Sequence, residues 1–194
     1  MSLEEVMAEV RSDRLFYQNS GGGVTLSGGE PLLQWEFATE VLKACKQEGI
    51  HTALDTCGYA RREVLDHVLE FVDLLLYDIK HLNPEHHRWG TGKSNLLILE
   101  NARMAAPMIR VWLRFPLIPG YNDAEENLRG LGELAVGLGV EKISLLPYHK
   151  AGELKYKRLG RKFPFRLTEP PGERHIQEAK RFLETFGVEV TVGN

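Results

Sequence analysis

Short apolar runs of strand character alternate with longer segments of helical periodicity along this chain, and that alternation restricts the fold more than any other feature. Val24-Thr25-Leu26, Ile50 to Asp55, Asp73 to Ile79, Ile109 to Leu117, Glu141 to Leu146 and Val188 to Val192 read as strands. The run Leu74-Leu75-Leu76-Tyr77 is apolar on both faces, as parallel strands covered on two sides are. Between the strands, Pro31 to Glu48 carries Leu33, Phe37, Val41, Leu42 and Cys45 on one stripe and stops at Gly49. Arg61 to Glu70, Asn95 to Ala105 and Glu173 to Phe186 are helical in the same way. Asp123 and Glu126 are expected to cap a further helix that ends at Gly139. Ser2 and Glu5 form a capping-box pattern for an opening helix with Leu3, Val6, Met7 and Val10 on its apolar face. The order βαβα predicts an α/β fold, a mostly parallel sheet clothed by helices.

Periodicity alone does not separate an open doubly wound sheet from a barrel. Polar residues gather at the C-terminal ends of successive strands, where parallel α/β barrels build their sites, and this favours a curved or barrel-like arrangement. With 194 residues the chain is read as a single domain spanning 1–194, with a leading helix in 1–20 and a basic loop in 150–170. A formal net charge of −3 argues against a general nucleic-acid binder. No apolar run reaches bilayer length and no secretory pattern opens the chain, so no membrane partner and a cytoplasmic location are expected.

The chemistry concentrates at Ser27-Gly28-Gly29-Glu30-Pro31, between a strand and a helix. Paired glycines let backbone come close to a ligand. Glu30 stands beside the unpaired N–H groups of a helix start, and Pro31 suits the first helical position. A bare Gly-Gly is explained equally well by a tight turn. Asp55 and Thr56 end the next strand, and for Asp55 alone a helix or turn cap is the plainer reading. Asp78 and Lys80 share a face at the end of the third, where a structural rim pair is the competing reading. His149 closes the fifth, a position that ordinarily holds a hydrogen-bonded structural histidine. Together the acids suit an amine while Lys80 and His149 suit a carboxylate, which describes a pocket for an amino-acid-like zwitterion. Cys45 lies on a helix stripe and is expected to be a buried inert thiol; Cys57 follows a strand end, a position open to a pocket, and a structural or incidental role is the plainer reading of both. His86, His87 and Trp89 read as loop residues rather than a metal site.

The stretch Gly23 to Gln34 resembles the core motif of radical S-adenosylmethionine enzymes, and among them the glycyl-radical-enzyme activating enzymes. Leu54-Asp55-Thr56-Cys57-Gly58, Tyr77-Asp78-Ile79-Lys80, Val111-Trp112-Leu113-Arg114 with Ile118-Pro119-Gly120, and Leu145-Leu146-Pro147-Tyr148-His149 extend the likeness over nearly the whole chain. The resemblance implies an oxidoreductase built on a partial TIM-like parallel barrel, here expected to lack the first strand. It implies that Gly28, Gly29 and Glu30 hold the methionine amino group of S-adenosylmethionine. Asp78, Ile79 and Lys80 would then contact its ribose and methionine parts, and His149 would add a further contact, with Arg114 a weaker candidate. Asp55, Thr56 and Asp78 look like positions that can also coordinate a monovalent cation. In such enzymes a reduced four-iron–four-sulfur cluster cleaves S-adenosylmethionine, and the resulting deoxyadenosyl radical takes hydrogen from a glycine of a partner glycyl radical enzyme. A flavodoxin or ferredoxin is the implied electron donor.

The family's CxxxCxxC cluster loop is not in this sequence, whose two cysteines are far apart. The chain is therefore read as a fragment or shortened relative that does not hold the cluster by itself and is inactive alone, with an exposed edge at Val24 to Leu26 that invites self-association. The alternatives are a non-catalytic S-adenosylmethionine-binding or regulatory module and a plain scaffold of the same fold; titration with S-adenosylmethionine separates the last from the others. The basic run Lys150, Lys155, Lys157, Arg158, Arg161, Lys162 and Arg166 reads as a solvated loop, or as a docking surface for the partner.

Overall fold

A computed structural model describes residues 1–150, 160, 165 and 168–193. Strands β1 (Gly23–Leu26), β2 (His51–Thr56), β3 (Leu74–Asp78), β4 (Arg110–Leu117), β5 (Lys142–Pro147) and β6 (Glu189–Val192) lie in one sheet in chain order. The pairs β1–β2, β2–β3 and β5–β6 are parallel. The sheet is open, with β1 and β6 at its ends, as a partial barrel requires. The chain divides into two compact units, residues 1–78 with 97–112 and residues 79–96 with 113–194.

The first unit begins with α1 (Leu3–Ser12), whose capping box forms as expected: Glu5 N–H donates to Ser2 Oγ and Ser2 N–H to Glu5 Oε2. A break at Asp13 separates it from α2 (Arg14–Ser20), so the leading segment is two helices rather than one. The expected helix from Pro31 also splits, into a 3₁₀ turn (Pro31–Gln34) and α3 (Trp35–Gln47). The tighter turn rotates the face: Leu32 is buried and Leu33, expected on the apolar stripe, is 79% exposed. Met7 and Val10 of α1 pack on Val41 and Cys45 of α3 and on Ile50, each such side chain removing apolar surface worth about 1.5–3 kcal/mol when fully covered. α4 (Arg62–Leu69) buries Val64, Leu65, Val68 and Leu69, and α6 (Leu96–Ala105) buries Ile98, Ala102 and Ala105. Behind β2, Asp73 accepts from Lys46 Nζ at 2.5 Å and from Thr52 N–H at 2.9 Å. Burial pushes the Asp73 carboxyl up, but these bonds together outweigh it and hold it below its ordinary value.

In the second unit, α5 (Pro84–Thr91) occupies the segment expected to be a loop. Asn83 Oδ1 accepts from the N–H groups of Glu85 and His86, Pro84 sits at the first helical position and left-handed Gly92 ends the helix. Trp89 on α5 packs against Tyr121 and Phe165. α7 (Glu125–Leu138) starts from Ala124, which makes no side-chain cap; Asp123 instead accepts from Gly120 N–H and pairs with His175. α8 (Glu173–Glu184) packs on α7 and leads to β6. Leu113, Phe115 and Leu117 of β4, with Leu131, Ile143, Leu145 and Leu183, form this unit's core. Of the basic run, Lys150 is described and pairs with Glu169 at 2.7 Å; the other six cations lie outside the described residues.

Candidate functional site

In the first unit the carboxylate of Glu30 is the meeting point of three elements. Glu30 leaves β1 in extended conformation and accepts from Leu32 N–H of the 3₁₀ turn at 3.2 Å, so the acid does stand at a helical start. The same oxygen, Oε1, accepts from Thr56 Oγ1 at 2.5 Å. Oε2 accepts from Cys57 N–H at 3.0 Å and from Cys57 Sγ at 2.9 Å. Gly28 has φ +136°, open to glycine and strained for any side chain. A Cβ added at Gly28 or Gly29 would meet no atom within 4 Å, so the glycine pair borders open space.

The β2 end is built to hold these donors. Thr56 Oγ1 accepts from Gly58 N–H at 2.9 Å while donating to Glu30. Gly58, at φ +66°, lies against the Tyr77 ring, which fills the space a side chain would need. Asn101 Nδ2 on α6 donates to the carbonyls of Gly58 and Ala60 at 2.8 and 2.9 Å. Tyr77 OH donates to Ile98 O, and burial raises its pKa.

The three candidate cation positions are sorted by strand alternation. Asp55 pairs in register with Leu76, so Asp55 and Asp78 share a sheet face. Asp55 Oδ2 accepts from Ser27 Oγ at 2.9 Å. Thr56 pairs with Tyr77 on the opposite face, and its hydroxyl is engaged by Glu30 and Gly58. The two acids thus share one sheet face, and the Thr56 side chain lies on the other.

In the second unit Lys80 and His149 line one cavity of about 440 Å³, with Ile118, Tyr121, Tyr148 and Phe165 among its walls. Asn122, fully buried, fixes the strand end beneath Lys80: its Nδ2 donates to the carbonyls of Lys80 and Pro116, and its Oδ1 accepts from Ile118 N–H. Ile79 is 1% exposed, its side chain in the core and its N–H donated to Arg114 O. Arg114 shares the half-buried face of β4 with Trp112 and Pro116. Tyr121 OH is pushed up to about 12 by burial.

Sequence reasoning missed the grip of Thr56 and Cys57 on Glu30, and the brace from Asn101. No short-range pattern carries either, since the partners are 26 to 43 residues apart. It also missed α5, although Asn83-Pro84-Glu85 is a helix-start signal.

Comparison with known proteins fits this architecture. Residues 1–131 match the Radical SAM superfamily. The chain is 42% identical over 194 residues to pyruvate formate-lyase 1-activating enzyme of Escherichia coli (strain K12), spanning 98% of this chain and 79% of that protein. It is 40% identical over 196 residues to the trans-4-hydroxy-L-proline dehydratase activating enzyme of Clostridioides difficile, spanning 99% and 65%. The crystal structure of a domain of pyruvate-formate lyase-activating enzyme from Bacteroides vulgatus ATCC 8482 superposes with a TM-score of 0.75 at 36% identity, over 89% of this chain and 99% of that one. The chain belongs to the radical SAM superfamily, within its branch of glycyl-radical-enzyme activating enzymes.

That family uses S-adenosylmethionine and a four-iron–four-sulfur cluster. The residues present fit the first: open glycine backbone at a strand end, beside a carboxylate, suits an amino-acid ammonium. They do not fit the second. The chain has two cysteines: Cys45, fully buried among Met7 and Val41, and Cys57, set against Glu30. Among the described residues no group of three or more His, Cys, Asp and Glu is placed to hold a metal.

Proposed function

We propose that this chain supplies the S-adenosylmethionine-binding wall of an activating enzyme for a glycyl radical enzyme. The observation that carries the reading is the Gly28-Gly29-Glu30 junction, with glycine backbone facing open space and the acid anchored beside it. On this reading the junction takes the methionine amino group, Asp78 and Lys80 contact the ribose and methionine parts, and His149 adds a contact. Ile79 supports Asp78 and Lys80 from the core side of the strand. Asp55 and Asp78, which share a sheet face, supply charge for a monovalent cation. When bound, S-adenosylmethionine supplies the chemistry that takes hydrogen from the partner's glycine; this chain's residues bind and orient it and exclude water. The partner is a glycyl radical enzyme of the pyruvate formate-lyase kind, the electron donor a flavodoxin or ferredoxin, and the location cytoplasmic. No helix among the described residues is long and apolar enough to cross a membrane.

A second reading, a binding module that works without a cluster of its own, is favoured by the engagement of both cysteines. Calorimetric titration with S-adenosylmethionine tests what the two share. Gly29→Val has room in the free protein, so its melting temperature should stay unchanged while its affinity falls at least about tenfold, because the added side chain blocks backbone approach. Equal affinity in wild type and variant would remove the site from the Gly28-Gly29 backbone.

A further inference from the structure

We infer that three buried asparagines of the second unit, Asn95, Asn122 and Asn127, are positioning residues for Lys80: they clamp the backbone that follows β3 and so fix where its ammonium is presented. This rests on the reading of Lys80 as a contact to S-adenosylmethionine and deepens it. β3 ends at Asp78, and the backbone beyond it no longer runs in a strand, so its polar groups need other partners. Side-chain amides supply them. Asn122 Nδ2 donates to Lys80 O at 2.9 Å, and Asn95 Nδ2 donates to His81 O and to Leu82 O, both at 2.8 Å. Leu82 N–H donates to Asn127 Oδ1 at 2.8 Å, and Asn127 Nδ2 donates in turn to Asn122 O at 2.7 Å. The three asparagines are 1%, 0% and 6% exposed, so water does not compete for these bonds. Three stretches of chain thereby converge on the consecutive residues 80–82.

Buried asparagines often do no more than satisfy a loop. What sets Asn122 apart is where its bonds go. Besides Lys80 O, its side chain meets Pro116 O at 2.6 Å and Ile118 N–H at 2.8 Å. Lys80, Pro116 and Ile118 all line the cavity of about 440 Å³ that also holds His149. One buried amide thus ties the end of β3 to the end of β4 at the cavity wall, and Asn95 and Asn127 hold the next two residues still. A lysine needs such a mount. Its charge is a compact point on a flexible four-carbon stem that loses much rotamer freedom when ordered, so a loose backbone adds to the disorder that a bound ligand must remove.

The experiment is a double-mutant cycle read by calorimetric titration of the full chain with S-adenosylmethionine, together with amide hydrogen exchange at Leu82. Lys80→Met should weaken binding at least about tenfold, as loss of a charged contact does. Asn122→Ala should weaken it about tenfold in the wild-type background and less than about twofold when Lys80 is already Met, because both changes remove one contact. Asn95→Ala leaves the bond to Lys80 O in place and should cost about threefold; should Asn122→Ala fail to fold, Asn95→Ala and its double variant with Lys80→Met carry the same comparison. Asn122→Ala leaves the acceptor of Leu82 N–H untouched, yet exchange there should speed up about tenfold if the three side chains act as one clamp. An equal loss of affinity in both backgrounds would show general support of the fold and overturn the inference. So would unchanged exchange at Leu82, whatever the ligand does. Wild-type affinity in Lys80→Met would instead take the cofactor away from Lys80, and the clamp would then stand or fall on the exchange rate alone.

Discussion

Single side chains decide several outcomes here, and His81 is the one whose effect is read by pH. It is 4% exposed, its Nδ1 accepts from Asn83 N–H, and its ring packs edge-on against His86 and Tyr121. Burial first, and the neighbouring His86 second, push its pKa down to about 4; His87 adds a smaller push and a bond with the Tyr121 backbone opposes it. The unfolded chain takes up this proton below about pH 6.5 and the folded chain does not until about pH 4. Stability is therefore lost as pH falls from 6.5 toward 4, by on the order of 3 kcal/mol for this residue. Urea midpoints measured across that interval should decline in wild type, and the decline should be much shallower in His81→Asn, which keeps an acceptor for Asn83. Equal slopes would mean that His81 is protonated in the native state. Nothing in the local sequence announced this burial. His81 lies just past the strand end, and what covers it is α5 and the loop at Tyr121, which come from later in the chain. Leu33 went astray for the opposite reason: its periodicity was read on an α-helical wheel, and the turn that carries it is 3₁₀.

Among the elements, the strands were legible because runs apolar on both faces have few alternatives to a covered parallel sheet. The termini of α3 and α7 were legible at Gly49 and Gly139, which sit at φ +70° and +64° where the pattern ends. The turn after β2 was legible only in outline. The sequence shows a glycine there, and the structure uses Gly58 twice, for a left-handed backbone and for contact with the Tyr77 ring. Comparing Gly58→Ala with Gly49→Ala separates these demands. At Gly49 a Cβ meets nothing within 4 Å, so the cost is the left-handed conformation alone, about 1–2 kcal/mol. At Gly58 the methyl must also displace a buried ring whose hydroxyl is held by Ile98 O, adding roughly 1–3 kcal/mol of overpacking. Chemical denaturation should show Gly58→Ala as clearly the more damaging. Equal losses would mean that the Tyr77 ring yields without cost, and the rigidity ascribed to the turn beneath Glu30 would go with it.

At the scale of the whole molecule, the family's two cofactors part company. The radical SAM fold is present, and its glycine junction suits S-adenosylmethionine, but the thiols do not add up to a cluster site. A four-iron cluster is held by cysteine thiolates, three or four of them converging on one volume. This chain has two cysteines, one enclosed in a packed core and the other held against a carboxylate. Cys45 is fully buried on α3 with its Sγ 3.9 Å from Met7 Sδ, and burial raises its pKa, with Glu48 adding to the rise, so the thiolate that iron requires is disfavoured. Cys57 lies against the Glu30 carboxylate, where a thiolate would face a like charge at 2.9 Å. Anaerobic incubation of this chain with ferrous iron, sulfide and reductant should accordingly leave it without stoichiometric bound iron and without the visible absorbance of a four-iron cluster. Removing excess iron by gel filtration before iron analysis distinguishes adventitious metal from a seated cluster. About four irons per chain surviving that step, with a reducible spectrum, would show that ligands beyond these thiols assemble a site. The same sample titrated with S-adenosylmethionine completes the argument: binding that persists without iron places the recognition of the amino acid in the protein backbone, whereas binding that appears only with iron places it on the metal.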